Sequence, residues 1–316
     1  MKVLRSANQG DLGEPEGLFL TIGNFDGVHR GHRAVLREVV SAALSASGRS
    51  VAVTFEPHPA NVVGDAKIAN ALTPLNEKSD LLAETGVDTL LVVPFTKDTA
   101  ASSARAFLSR LGVGGGSHLV LGYDFHMGRG RAADLGRLSL LGREAGFGLD
   151  VVPPVMSGGR PISSTRIRAA LREGDPRAAS LMLGRHYSLE GRVVAGDGIG
   201  RSIGVPTANL ELPAEKLLPA DGVYLTSVVD LEAGSGAAGP GGTGAHRGLL
   251  YVGRRPTLGS GSRRAEVHIL DVDADLYGTG LRLDVIGFLR HDRSFSSVDD
   301  LKEQMSLDIE RAGREG

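Results

Sequence analysis

Apolar and polar positions follow two different rhythms along the 316 residues. Between residues 18 and 184, short apolar runs take turns with longer stretches of helical spacing. "LFLTIG", "SVAVTF", "TLLVVPF", "HLVLGYDF" and "LDVVPPV" read as buried strands, each near a glycine or proline. Arg30 to Ser45, Pro74 to Thr85, Ala101 to Leu111 and Asp134 to Ala145 have the length and apolar spacing of helices. Strand, helix, strand in sequence implies right-handed parallel crossovers, hence an open parallel α/β sheet.

The rhythm changes near Leu183. From Tyr187 onward come "YSLEGRVVAG", "GVYLTSVVDL", "RGLLYVG", "AEVHILDV" and "LRLDVIGFLR", alternating runs joined by turns without helices between them. That pattern predicts an antiparallel barrel or sandwich. "SSVDDLKEQMSLDIERA" then combines capping serines, acids in a first turn and leucine/methionine spacing, the marks of one last helix. The expected domains are therefore 1–184 and 185–316. Residues 233–244, "AGSGAAGPGGTG", read as a low-complexity hairpin loop.

Composition narrows the chemistry. Apolar content of 41% and charged content of 23% are ordinary for a globular protein. A formal net charge of −2 gives no field favouring nucleic acid or an anionic membrane, so neither is expected as a partner. There is no cysteine, which excludes disulfide scaffolds, thiolate metal sites and a cysteine nucleophile. The opening residues lack the apolar core of a signal peptide, and no apolar run approaches ~18 residues. A cytoplasmic protein is expected, with weak homo-oligomerisation allowed.

"TIGNFDGVHRGH", residues 21–32, places His29 and His32 at the start of a helix that follows a strand. Three apart, they share one helix face. Zinc would need further ligands at suitable spacing, and none is obvious. An anion fits better, because a helix's first turn offers free N–H groups and partial positive charge. Gly27 and Gly31 would let backbone approach a phosphate. Taken alone, such a pair reads most plainly as capping or packing histidines.

The neighbours shift that balance. His58 in "TFEPHP" follows the second strand, "GYDFHMG" (Gly122 to Gly128) the fourth, and "ISSTRIR" (Ile162 to Arg168) the fifth. In the last, the hydroxyls can cap a helix while Arg166 and Arg168 reach phosphates. Ligands of open α/β sheets bind outside the carboxyl ends of the strands, where all these clusters fall. A nucleotide site is the better reading. No P-loop occurs, and the glycine spacings within 234–244 that match a dinucleotide fingerprint open no helix.

Together "GNFDGVHRGH", "GYDFHMG" and "ISSTRIR" resemble the FMN adenylyltransferase module of bacterial bifunctional riboflavin kinase/FAD synthetases, a Rossmann-like nucleotidylyltransferase fold. The resemblance implies that His29 and His32 steady the triphosphate of ATP and the transition state. By the same resemblance Gly23, Phe25, Asp26 and Gly31 belong to the ATP site, with Ser164, Thr165 and Arg168 on the phosphates. His58, Asp124 and Phe125 are implied for flavin. Met127 stands where the family often has phenylalanine, and Glu56 where it often has aspartate.

In the second half, "GDGIGRSIGVPTANL" (Gly196 to Leu210) is a loop able to wrap phosphates through backbone N–H groups. Thr207 and Asn209 offer hard oxygen ligands for Mg²⁺. "PTAN", "DGVYLTSV", "VGRRPTLG" and "AEVHILDVDADLYG" resemble riboflavin kinases, implying a six-stranded antiparallel barrel with a terminal helix. There Gly198, Gly200, Arg201 and Gly204 would cover ATP, Thr207 and Asn209 would hold Mg²⁺, and Glu266 would be the general base. Strand alternation puts Glu266, His268 and Leu270 on one face, and Val267, Ile269 and Asp271 on the other. Arg254 and Arg255 receive no role. The implied substrates and products are riboflavin, FMN, FAD and ATP. The rivals are an adenylyltransferase for another phosphate acceptor with an inactive kinase half, and a flavin-binding regulator.

Overall fold

The computed structural model describes residues 1–5, 12–63, 70–195, 200, 204–232, 245–254, 263–272 and 274–314. Gly198, Arg201, Arg255 and the 233–244 loop lie outside them. Contacts divide the chain into two compact units, Met1–Ser164 and Thr165–Gly316.

The first unit is a six-stranded, wholly parallel sheet of β1 (Lys2–Arg5), β2 (Leu18–Ile22), β3 (Arg49–Glu56), β4 (Thr89–Pro94), β5 (Ser117–Gly122) and β6 (Gly148–Val152). Their spatial order is β1-β4-β3-β2-β5-β6. All five expected strands form. β1 is an addition at the edge, with no buried residue to mark it in the sequence. The helices are α1 (Arg30–Ser45), the single turn α2 (Ala60–Val63), α3 (Leu75–Ala83), α4 (Lys97–Ala101), α5 (Ala104–Arg110) and α6 (Leu135–Ala145). The helix expected at Ala101 to Leu111 is the shorter α5, and α4 is an added helix that ends where that one was expected to begin. Thr96 and Ser103 each cap one, accepting from Thr99 N–H and Ala106 N–H at 3.2 Å apiece.

Strand alternation feeds two separate cores. Val51 and Val53 pack with Phe107, Leu108 and Leu138 on one side, whereas Ala52 packs with Leu36 and Leu82 on the other. Helices thus cover both faces. From β2 the chain builds outward through β3 and β4, then returns to place β5 on the opposite side. The crevice at that reversal, at the carboxyl ends of β2 and β5, is where such sheets bind ligands.

A two-residue hairpin, β7 (Met156–Ser157) with β8 (Arg160–Pro161), precedes α7 (Ser164–Arg172) and α8 (Pro176–Leu183). Beyond Ser164 these helices belong to the second unit, where α8 packs on β9 (Tyr187–Val194) and β14 (Gly280–His291). With β10 (Ala208–Glu211), β11 (Gly222–Asp230), β12 (His246–Gly253) and β13 (Arg264–Ile269) they close an antiparallel barrel in the order β10-β13-β12-β11-β14-β9. That is the expected six-stranded barrel. The terminal helix α9 (Val298–Arg314) starts where Ser297 Oγ accepts from Asp300 N–H at 3.1 Å. Its Ala312 is buried against Val223, Leu225 and Leu249, and Asp308 Oδ2 meets Arg290 of β14 at 2.8 Å.

Candidate active sites

The turn from β2 into α1 builds the first site. Phe25 and Val28 hold left-handed backbone angles, φ 46° and 37°. Non-glycine residues adopt these only where the surroundings over-determine them, commonly at functional turns. Phe25 is buried and packs edge-on against His32, ring centroids 5.4 Å apart. A Cβ on Gly23 would come within 3.2 Å of the Phe25 ring, so glycine makes that packing possible. Asp26 anchors the turn: its Oδ1 accepts from Thr73 N–H at 3.1 Å, while Gly27 N–H donates to Thr73 Oγ1 at 2.8 Å. Ser164 Oγ donates to the Asp26 carbonyl at 2.8 Å, tying the third motif to the first.

His29 is the N-cap of α1, its Nδ1 accepting from His32 N–H at 3.2 Å. Capping and ligand binding, alternatives in the sequence, are compatible in this geometry. An Nδ1 that accepts leaves the ring proton on Nε2, a donor at the other end of the imidazole. His32 stacks on His29 with centroids 3.6 Å apart and planes 13° from parallel. Its Nδ1 is buried with no hydrogen-bond partner among the described residues. Burial first, then the His29 ring and then the Lys78 ammonium hold the His32 imidazole well below the ordinary histidine range. Gly31 has a local packing role as well: a Cβ there would lie 3.1 Å from His29 Cε1. It clears space for the capping ring.

Beside this turn lies a cavity of about 460 Å³ lined by Gly23, Asn24, Phe55, Phe95, Asp124 and Phe125, among others. Phe55 stands edge-on to Phe95 at 5.3 Å and tilted to Phe107 at 5.8 Å, giving the cavity an aromatic wall. Apolar walls with a few polar groups suit a flat, largely apolar ligand. Asp124 and Phe125 are thus brought to one cavity. His58 is not among its lining residues; its Nδ1 accepts from Ala60 N–H at 3.2 Å. Phe55, Phe95, Phe107 and Arg131 line it without having been singled out from the sequence. Phe55 and Phe95 were legible in principle, sitting at or just beyond the carboxyl ends of quoted strands. Thr165, exposed, and Arg168, half-buried, lie on the first turns of α7 in the second unit.

The barrel carries its own cavity, about 590 Å³, lined by Gly200, Thr207, Tyr251, Glu266, His268 and Asp292, among others. Glu266 lies opposite Asn209 on β10 and Tyr251 on β12, so the three form one row across adjacent strands. The alternation read from "AEVHILD" holds. Val267 and Ile269 are buried, while Glu266 and His268 line the cavity. Glu266 is nevertheless only 3% exposed, so it sits in a recess rather than an open groove. His268 Nδ1 donates to the Pro206 carbonyl at 2.8 Å, fastening the loop before β10 onto β13. Val205 N–H donates to the Gly200 carbonyl at 2.9 Å, and a Cβ on Gly200 would meet Val205 O at 2.4 Å. Glycine is required there, and Gly204 has φ 82°. Tyr251 donates to Asp292 Oδ2 at 3.1 Å. Burial, then the Asp292 charge and hydrogen bond, then Glu266, push its phenol far above the usual value. Tyr251, Arg254, Asp292 and Phe295 were not assigned from sequence. They come from separate segments that only the closed barrel and α9 bring together.

Among the described residues no three His, Asp or Glu side chains gather into a metal-holding cluster. No helix among them is long and apolar enough to cross a membrane.

Comparison with known proteins accounts for both units. Residues 12–166 match the family model described as FAD synthetase, and residues 183–315 the model described as riboflavin kinase. The bifunctional riboflavin kinase/FMN adenylyltransferase of Escherichia coli strain K12 is 38% identical over 313 residues, 98% of this chain and 96% of its own. That of Pseudomonas fluorescens is 36% identical over 302 residues, 95% and 93% of the two chains. A crystal structure from Streptococcus pneumoniae, described as a macrolide-efflux protein, has the same fold, with TM-score 0.86, 29% identity and full coverage of both chains. Two family models in sequence order, and relatives aligned nearly end to end, lead to one assignment: the chain belongs to the bifunctional riboflavin kinase/FMN adenylyltransferase family.

Proposed function

We propose that this chain performs two ATP-dependent steps, phosphorylating riboflavin to FMN in the barrel and adenylylating FMN to FAD in the α/β unit. One observation carries the reading: each unit holds its own cavity, walled by residues of its own motifs.

In the barrel, the ribityl hydroxyl of riboflavin attacks the γ-phosphorus of ATP and ADP leaves. A neutral hydroxyl is a poor nucleophile, so its proton must go to a base as the bond forms. Glu266 is that base, recessed in the cavity wall where no bulk water competes for it. Gly198, Gly200, Arg201 and Gly204 wrap the ATP phosphates. Thr207 and Asn209 would hold Mg²⁺; hydroxyl and amide oxygens are the hard donors this ion takes, and both lie beside Glu266 in the fold. When bound, Mg²⁺ neutralises phosphate charge.

In the α/β unit, a phosphate oxygen of FMN attacks the α-phosphorus of ATP, the bond to the β-phosphate breaks, and pyrophosphate leaves. The nucleophile is already an anion and needs no base. The site must instead align the reactants and stabilise charge on the phosphates. His29 donates its Nε2–H, fixed in that tautomer by capping α1. His32 stays neutral beside it and donates likewise. Gly23, Phe25, Asp26 and Gly31 hold the two rings in place, and Ser164, Thr165 and Arg168 take phosphate oxygens. Asp124 and Phe125 hold the flavin, with His58 ordering the turn at the cavity edge. The setting proposed is cytoplasmic, with weak self-association and no nucleic-acid or membrane partner.

The test is direct: purified protein with riboflavin, ATP and Mg²⁺, products separated by chromatography. FMN should appear first and FAD after it. Formation of neither product overturns the proposal.

A further inference from the structure

Lys78 belongs to none of the phosphate motifs, yet it lies on the face of α3 that packs against the histidine turn. Leu82, one turn further along α3, is buried together with Phe25 and Val28 of that turn. Lys78 shares Leu82's face and is itself only 4% exposed. Among the described residues its ammonium makes no hydrogen bond and no ion pair. Charged groups within its electrostatic reach include Asp26, Glu56 and His32. Asp26 and His32 are residues of the site, and Glu56 ends the strand next to β2.

A buried ammonium without a hydrogen-bonded counter-charge is unfavourable, and proteins rarely keep one without a use. Here burial pulls the Lys78 pKa below the ordinary lysine value, while the Asp26 and Glu56 carboxylates oppose that pull and favour the charged form. Asp26 Oδ1 already accepts from Thr73 N–H at 3.1 Å, so that oxygen is not dedicated to the lysine. An anion beside the Lys78 ammonium and the histidine pair would supply the missing hydrogen-bonded partner. Adenylyl transfer brings one, since the triphosphate carries negative charge that moves onto pyrophosphate as the α–β bond breaks.

We propose that Lys78 is a further phosphate-binding cation of the adenylyl-transfer site, contacting the phosphate chain of the nucleotide beside His29 and His32. The inference rests on the adenylyl-transfer reading above. A lysine acts on phosphate as a mobile point charge, suited to following charge as it moves toward the leaving group.

Lys78→Met removes the charge and keeps the stem, so the fold should tolerate it; Lys78→Gln is the second neutral variant if Met unfolds the chain. Two readouts are needed: kcat/KM for FAD formation from FMN and ATP, and the affinity for inorganic pyrophosphate alone by calorimetry. Thermal unfolding and kinase turnover of the same preparation report folding. We expect FAD formation to fall roughly 10²-fold and pyrophosphate binding to weaken about ten-fold or more, with Lys78→Arg recovering part of both. Wild-type behaviour of a folded neutral variant in both readouts overturns the assignment. So does lost FAD formation with unchanged pyrophosphate affinity, because Lys78 would then only shape the turn. The pyrophosphate measurement requires no FAD synthesis, so it judges Lys78 even if the adenylyl-transfer reading fails.

Discussion

In the proposed function the two units meet the same co-substrate with opposite kinds of side chain. In the α/β unit, stacked imidazoles and a buried lysine surround the turn where nucleotide phosphates would lie. In the barrel, a carboxylate buried to 3% exposure occupies the centre of a strand row. The contrast follows from the nucleophiles. FMN brings its own negative charge to the attack, so no carboxylate is needed to take up a proton. Riboflavin brings a neutral hydroxyl, so a site without a base would stall with the proton still on oxygen. Two phosphorus-centred displacements on ATP thus demand different titratable groups.

The sharpest way to break this contrast is to remove the proposed base. Glu266→Gln keeps shape and hydrogen bonding but cannot accept a proton. It should lower kcat for FMN formation by ~10²–10⁴ at saturating riboflavin and ATP, leaving adenylylation of supplied FMN unchanged. Near-normal kinase turnover would place the base elsewhere.

The converse change should spare the barrel. His29→Ala or His32→Ala is expected to reduce FAD formation by ~10²-fold or more, while FMN still accumulates from riboflavin. Stoichiometric zinc in the purified protein, with activity lost to a chelator despite added Mg²⁺, would mean the histidines serve a metal instead.

Truncation separates the units themselves. We propose a functional boundary at residues 184/185, yet Ala179, Met182 and Leu183 of α8 are buried and α8 packs on β9 and β14. A fragment starting at residue 165 should therefore melt higher than one starting at 185, each buried large side chain being worth ~1.5–3 kcal/mol. Both should phosphorylate riboflavin where folded. Equal melting temperatures would show that α8 contributes nothing to the barrel.

The smallest effect concerns pH. His32 has a folded pKa below its unfolded value of ~6.5, so within that interval only the unfolded chain gains a proton. Stability from this group is complete above ~6.5 and declines as pH falls towards the folded value. Urea unfolding at about pH 7.5 and pH 5.5 should show a narrower gap for His32→Asn than for the wild type. An unchanged gap would show that His32 titrates normally.

Much of this was legible in the chain, for identifiable reasons. Buried parallel strands announce themselves as continuous apolar runs, and the motif residues follow them directly. β1 escaped because an exposed edge strand needs no apolar signature. The break between α4 and α5 escaped because Ser102 and Ser103 sit within helical spacing, and only the cap geometry at Ser103 reveals the restart. Lys78 escaped for a different reason. A lysine in a helix reads as solvent-facing, and its burial depends on a turn some fifty residues earlier in the chain. Tyr251, Asp292 and Phe295 carry no local signal either, since each matters only for what the barrel and α9 place beside it.

The row Asn209, Glu266 and Tyr251 has a consequence for how the barrel can be made and altered. Side chains along a strand change face at every residue, so shifting β13 by one position would swing Glu266 to the opposite face from Asn209 and Tyr251. The same slip would bring Val267 and Ile269 out of burial. A misaligned barrel would thus lose its proposed base and part of its core in a single error, making the faulty product unstable rather than merely inactive. Insertions in the connecting loops leave the alignment untouched, whereas one residue added within β13 should abolish folding and kinase activity together.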